Sequence, residues 1–174
     1  LGNGFEFATI NQPDDYEGKV VATVIRKQCS MPSNKAVLYV HGFNDYFFQS
    51  DMAHRFNEKE YHFYAIDLRK YGRSTLPHHK RNNMRSLTEY FADLDEALDI
   101  IRQEGNEQVL LSGHSTGGLL VTLYASERVG NEKFDTIFCN SPFYDMNMPG
   151  YQKRLLVPLV ALFGKYFPDV LLPG

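Results

Sequence analysis

The stretch VLLSGHSTGG, residues 109–118, decides the fold. Its first half is an apolar run of the kind found in a strand buried on both faces. Its second half matches G-x-S-x-G and leads into a helix-compatible segment, 117–127. That pattern between a strand and a helix describes a sharp turn that pushes the Ser115 hydroxyl outward. Strand and helix must pass close together there. Gly113 and Gly117 leave room where a Cβ would clash. The start of the helix also points backbone N–H groups toward developing negative charge. At ordinary Gly and Ser usage, roughly 0.06 such patterns arise by chance in a chain of this length. The plainer alternative is a Gly-rich turn without chemistry. A phosphate loop would need Gly-Lys-Ser/Thr at its end, and no Lys follows.

Working outward, further strand candidates surround this one. AVLYV (36–40) is almost wholly apolar, and YHFYAID (61–67) and DTIFCN (135–140) follow. FEFATI (5–10) and VVATVIR (20–26) flank Pro13-Asp14-Asp15, a turn-forming cluster. They predict an antiparallel hairpin with a long loop. Helical signals fall between the later strands. Ser86 and Glu89 fit a capping box. After it, Leu87, Tyr90, Phe91, Leu94, Ala97, Leu98 and Ile101 recur at helical spacing, and Gly105 is a natural stop. Residues 51–59 predict a shorter helix. Alternating strands and helices imply a mostly parallel sheet with helices on both faces, an α/β fold. In such sheets the chemistry sits at the carboxyl ends of the strands.

Two other strand ends carry candidates. After AVLYV comes His41-Gly42-Phe43-Asn44-Asp45. In acyl-transfer enzymes of this plan, one oxyanion donor is the N–H after the nucleophile and the other comes from an earlier loop. That assigns the N–H groups of Thr116 and Phe43. Gly42 lets the loop bend toward a substrate, His41 ties the loop down, and His114 flanks the serine. After the strand at 61–67 comes DLRKYGRS. Asp67 and Ser74 are suited to holding loop backbone, with Gly72 at a tight turn. Residues 69–85 contain Arg69, Lys70, Arg73, Lys80, Arg81 and Arg85 and no acid. This reads as a solvated loop, with a patch for an anionic headgroup as the sharper alternative. His78 and His79 have no second ligand cluster to support metal binding.

Composition bounds the function. The 174 residues carry 18 Lys plus Arg and 21 Asp plus Glu, a net charge of −3. That gives no electrostatic case for nucleic-acid binding. With 43% apolar residues, 13 Phe and 11 Tyr, the chain has ample material for a core. Cys29 and Cys139 are too few for a disulfide framework. The start has neither a basic flank nor an apolar h-region, and the longest apolar run, 155–163, is too short to span a bilayer. These features predict a soluble, cytoplasmic protein. Its first residue is Leu, not Met, so missing N-terminal sequence is expected.

HGFND, DLRKYGRS and GHSTGG in this order resemble the α/β-hydrolase superfamily. More narrowly they resemble its monoglyceride-lipase, lysophospholipase and serine-aminopeptidase branch. The similarity runs over about 36–142, and NSPF (140–143) also fits. The resemblance implies a serine hydrolase of carboxylic esters, monoacylglycerol-like or lysophospholipid-like, with Ser115 as nucleophile and Phe43 and Thr116 as oxyanion donors. It implies no cofactor and no metal. It further implies a lid after the sixth strand, which the apolar, helix-compatible segment 151–167, kinked at Pro158, would begin. The expected division is 1–145 for the N-terminal part of the hydrolase core and 146–174 for the start of the lid.

The sequence departs from this pattern in one respect. The triad order of the fold is Ser, then Asp or Glu, then His. All six histidines (His41, His54, His62, His78, His79 and His114) precede Ser115. Of the later acids, Glu127, Glu132, Asp135, Asp145 and Asp169, none has a context that singles it out. Two strands of the family's sheet are also missing. The leading expectation is that a C-terminal part of the same protein is absent. The alternatives are a non-catalytic ligand-binding protein on this fold, or an upstream histidine acting as base.

Overall fold

The computed structural model describes residues 1–2, 4–128, 130, 133–167 and 170. Two compact units divide the chain, Leu1–Tyr144 and Asp145–Gly174.

The first unit is built on one six-stranded sheet. The strands are β1 (Glu6–Asp15), β2 (Gly18–Lys27), β3 (Lys35–Val40), β4 (Tyr61–Asp67), β5 (Gln108–His114) and β6 (Thr136–Asn140). Their order in space is β1-β2-β4-β3-β5-β6. The β1–β2 and β2–β4 pairs are antiparallel, and the β4–β3, β3–β5 and β5–β6 pairs are parallel. The parallel strands are joined by helices α1 (Ser50–Glu58), α2 (Phe91–Gln103) and α3 (Thr116–Glu127).

The period-2 geometry of strands sorts the core into two layers. Ala36, Leu38, Val40, Tyr64 and Ile66 pack with Leu94, Leu98 and Ile101 of α2 and Leu120, Val121 and Tyr124 of α3. Val37, Tyr39, Phe63 and Ala65 point the other way and pack with Phe47 and with Ala53 of α1. Helices therefore cover both faces, as the near-continuous apolar strands predict. At the β6 edge, Ile137 and Phe138 remain exposed.

The hairpin differs from expectation in its turn. Pro13 and Asp14 lie within β1, where the pairing register shifts between Gln12 and Asp15. Proline cannot donate to the ladder, so a bulge on an edge strand accommodates it. The chain reverses at Tyr16-Glu17, followed by Gly18 at φ +96°. The capping box is present, but on a 3₁₀ turn, Leu87–Tyr90, that precedes α2. Gly105 follows the end of α2 at φ +87°.

The basic loop is not uniformly solvated. Arg69 is buried and makes a bidentate pair with Asp93, with Nη2–Oδ1 at 2.7 Å. Lys70 is fully buried, its Nζ 2.6 Å from Asp15 and 2.8 Å from Glu17. Burial works against the Lys70 charge, but Asp15, Glu17 and Tyr16 outweigh it and hold the ammonium above its usual range. Arg73 pairs with buried Asp67 at 2.7 Å.

In the second unit, α4 (Gly150–Tyr166) continues through Pro158. Lys153 pairs with Asp145, and the Phe163 and Phe167 rings lie 5.0 Å apart. Glu132 and Asp169 lie outside the described residues.

Candidate active site

Ser115 sits at the junction of β5 and α3 with φ +53° and ψ −118°. Non-glycine residues rarely adopt this backbone, and it costs of order 1–3 kcal/mol unless its surroundings enforce it. Here they do. The Ser115 N–H donates to the Asn140 carbonyl at 3.1 Å. Its own carbonyl accepts from the N–H groups of Leu119 at 3.2 Å and Phe143 at 3.0 Å. The turn is thus clamped between the first turn of α3 and the end of β6. Ser115 is half-buried, so the hydroxyl is not lost in the packed interior.

The glycines do what the close passage requires. A Cβ on Gly113 would lie 2.4 Å from the Gly117 carbonyl oxygen. One on Gly117 would lie 2.4 Å from the carbonyl oxygens of both Val40 and His41. The helix therefore starts against the end of β3, which brings the HGFND loop to the serine. A Cβ on Gly42 would lie 3.2 Å from Cβ of Ser115. Among the described residues, the N–H groups of Phe43 and Thr116 have no hydrogen-bond partner. Both residues line one small cavity of about 20 Å³ with His41, Gly42, Leu68, Tyr71, Met84 and Tyr90 among its other walls.

His41 is buried and bridges two loops. Its Nε2 accepts from the Leu68 N–H at 3.2 Å, which leaves Nδ1 to donate to the Gly42 carbonyl at 2.8 Å. Its ring lies 4.8 Å from that of Tyr71. Burial pushes its pKa below the ordinary value despite the Gly42 carbonyl and the charges of Asp67 and Asp45. A neutral ring with both nitrogens engaged holds the Gly42–Phe43 backbone in place. Asp67 supports the same region from below. Its carboxylate accepts from the N–H groups of Phe47 at 2.9 Å and Arg73 at 3.0 Å, while Ser74 Oγ donates to its carbonyl at 2.7 Å.

The remaining histidines are engaged elsewhere. His114 Nδ1 lies 3.2 Å from the Asn140 carbonyl, His62 bonds Cys29 and Ser33, and His78 and His79 both face the Lys19 carbonyl. The His54 ring lies against Phe5. Among the described residues no three His, Cys, Asp or Glu side chains converge as metal ligands. Nor is any described helix long and apolar enough to cross a membrane.

Sequence reasoning found the serine turn and the loop facing it. It missed Tyr71, Met84 and Tyr90 as cavity walls, because the long connection from β4 to α2 folds back to deliver all three. Asn44 and Ser141, with φ +53° and +48°, had no local signal beyond their residue types.

The family model described as serine aminopeptidase, S33, matches residues 31–174. The chain belongs to that family. Its fold is of the α/β-hydrolase type. Among solved structures it resembles a soluble variant of monoglyceride lipase from Saccharomyces cerevisiae. That likeness has a TM-score of 0.69 at 17% identity, over 92% of this chain and 53% of the other. It also resembles a monoacylglycerol lipase of Paleococcus ferrophilus, with TM-score 0.62 at 22% identity, over 95% of this chain and 53% of the other. Epoxide hydrolase 4 of Mus musculus is 33% identical over 89 residues, 51% of this chain and 23% of that protein. The chain therefore spans less than a quarter of this curated relative and about half of these structures.

Proposed function

We infer that this chain carries the nucleophile and oxyanion donors of a serine hydrolase of carboxylic esters, acting on lipid-type substrates. The observation that carries the reading is the enforced φ of Ser115 directly beside Gly42. In this reading Ser115 Oγ attacks the ester carbonyl, and the Phe43 and Thr116 N–H groups hold the oxyanion. Donors of this kind contribute on the order of 10²–10³ each in rate. The alcohol leaves, an ester forms on Ser115, and water releases the acid. In the same reading, residues 146–174 are the start of a lid segment. The family match and the lipase-like fold support hydrolysis as the chemistry.

A serine hydroxyl needs a base to become a good nucleophile. Among the described residues no histidine hydrogen-bonds the Ser115 hydroxyl, so the reading takes its base from outside these 174 residues. In a well-studied serine protease, loss of the base costs on the order of 10⁶ in turnover. The same observation favours a second reading, a ligand-binding protein that does not cleave.

A fluorophosphonate probe on the full-length protein separates the two. Covalent labelling at Ser115, together with nitrophenyl-ester turnover that disappears in Ser115→Ala, supports the hydrolase. A folded protein that neither labels nor turns over ester overturns it in favour of binding.

A further inference from the structure

A second cavity lies beside the Phe43 loop, and the ester chemistry above makes no use of it. Its volume is about 460 Å³, within the range of small-molecule sites. Its walls include Asn44 and Asp45 from the loop after β3, and Arg73, Arg81 and Asn82 from the loop after β4. The two loops are fastened together. Asn82 Nδ2 donates to Asn44 Oδ1 at 3.1 Å, and both residues have left-handed backbones, φ +58° and +53°. The Asn82 N–H is itself held by the Lys70 carbonyl at 3.1 Å. The pocket is thus framed by positioned backbone and not by surface side chains alone.

Its charges are unusually arranged. Arg73 is neutralised by Asp67. Arg81 and Asp45 both line the pocket, yet neither forms an ion pair among the described residues. Asp45 Oδ1 accepts only the N–H of Tyr46, at 2.8 Å. The lining therefore offers one uncompensated cation and one uncompensated anion on a neutral amide frame. A simple anion gains from Arg81 but is opposed by Asp45, and a simple cation meets the reverse. A group that carries both charges satisfies both.

We propose that this pocket binds a zwitterionic headgroup, with an anion and a cation a few bonds apart. Asn44 follows Phe43 directly, so the pocket borders the residue assigned to the oxyanion, and in this proposal it takes the polar half of the ester. That assignment as the substrate's alcohol half rests on Ser115 being the nucleophile. The same charge pattern occurs in a phosphodiester-ammonium headgroup and in a free α-amino acid.

The test is calorimetric titration of the full-length protein with glycerophosphocholine, serine, glycerol 3-phosphate and choline. Binding is read without turnover, so failure of Ser115 labelling and failure of this pocket are seen separately. Glycerophosphocholine is expected to bind about tenfold more tightly than glycerol 3-phosphate or choline. Arg81→Gln and Asp45→Asn should each weaken it by about tenfold, the size of one charged hydrogen bond, at unchanged melting temperature. Serine binding with the same dependence on both residues upholds the zwitterion and assigns it to the amino-acid source. Equal binding of glycerol 3-phosphate, indifference to both substitutions in folded variants, or no binding of either zwitterion overturns the proposal.

Discussion

Gly117 lies so close to Val40 that a Cβ on it would stand 2.4 Å from the Val40 carbonyl oxygen. This contact seats the first turn of α3 on the end of β3, and it makes the serine turn and the HGFND loop neighbours. Because the obstruction is backbone, it cannot swing aside. Gly117→Ala is expected to destabilise the fold by roughly 1–3 kcal/mol, the usual range for overpacking. Urea unfolding monitored by circular dichroism measures it. Gly130→Ala is the paired comparison. No atom lies within 4 Å of a Cβ there, so only its φ of +83° opposes the change.

Strain at Ser115 has its own signature. At φ +53° a glycine is at ease and a β-branched residue is a pronounced outlier. Ser115→Gly is expected to be at least as stable as the wild type, and Ser115→Val less stable by about 1–3 kcal/mol. Both should lose fluorophosphonate labelling. Equal stability of the two variants would show that the turn is relaxed.

The Lys70 cluster predicts a stability plateau with two edges. Burial raises the Asp15 and Glu17 carboxyls, but Lys70 outweighs it and their pKa values end below the usual carboxylate range. Their contribution is present above the unfolded values and is lost as pH falls through the folded ones, below about pH 4. Lys70 is raised, so its contribution is complete below the ordinary lysine value and lost as pH rises through the folded one, above about pH 10.5. Lys70→Met leaves two nearly buried carboxylates without the ammonium they share and should cost about 3–5 kcal/mol near neutrality. Thermal melts from pH 3 to 11 read the plateau, its edges and the penalty.

His41 should remain neutral in mildly acidic solution. Burial lowers its folded pKa, so the unfolded chain takes up the proton first. Its contribution to stability is present above about pH 6.5 and declines as pH falls toward the folded value. Nitrogen NMR should show Nδ1 protonated and Nε2 bare at pH 7, with the ring charging only at a lower pH than an ordinary histidine. Protonation at an ordinary histidine pKa would contradict the bridge from Gly42 to Leu68.

The strands, the helices between them and the serine turn were all legible in the order of residues, because each rests on local rules. AVLYV alternates its side chains between two buried layers wherever it goes, and GHSTGG has the glycines that a close strand–helix passage demands. The partners of charged groups were not legible. Arg69 and Lys70 look like solvated neighbours, but Asp93 lies 24 residues from one, and Asp15 and Glu17 lie on a distant hairpin. The turn at Tyr16-Glu17 was displaced from Pro13 by pairing with β2, which absorbs the proline in a bulge. Charge burial and loop meeting points depend on which segments the sheet order brings side by side. That order is set by long-range packing, and so tertiary structure alone decided them.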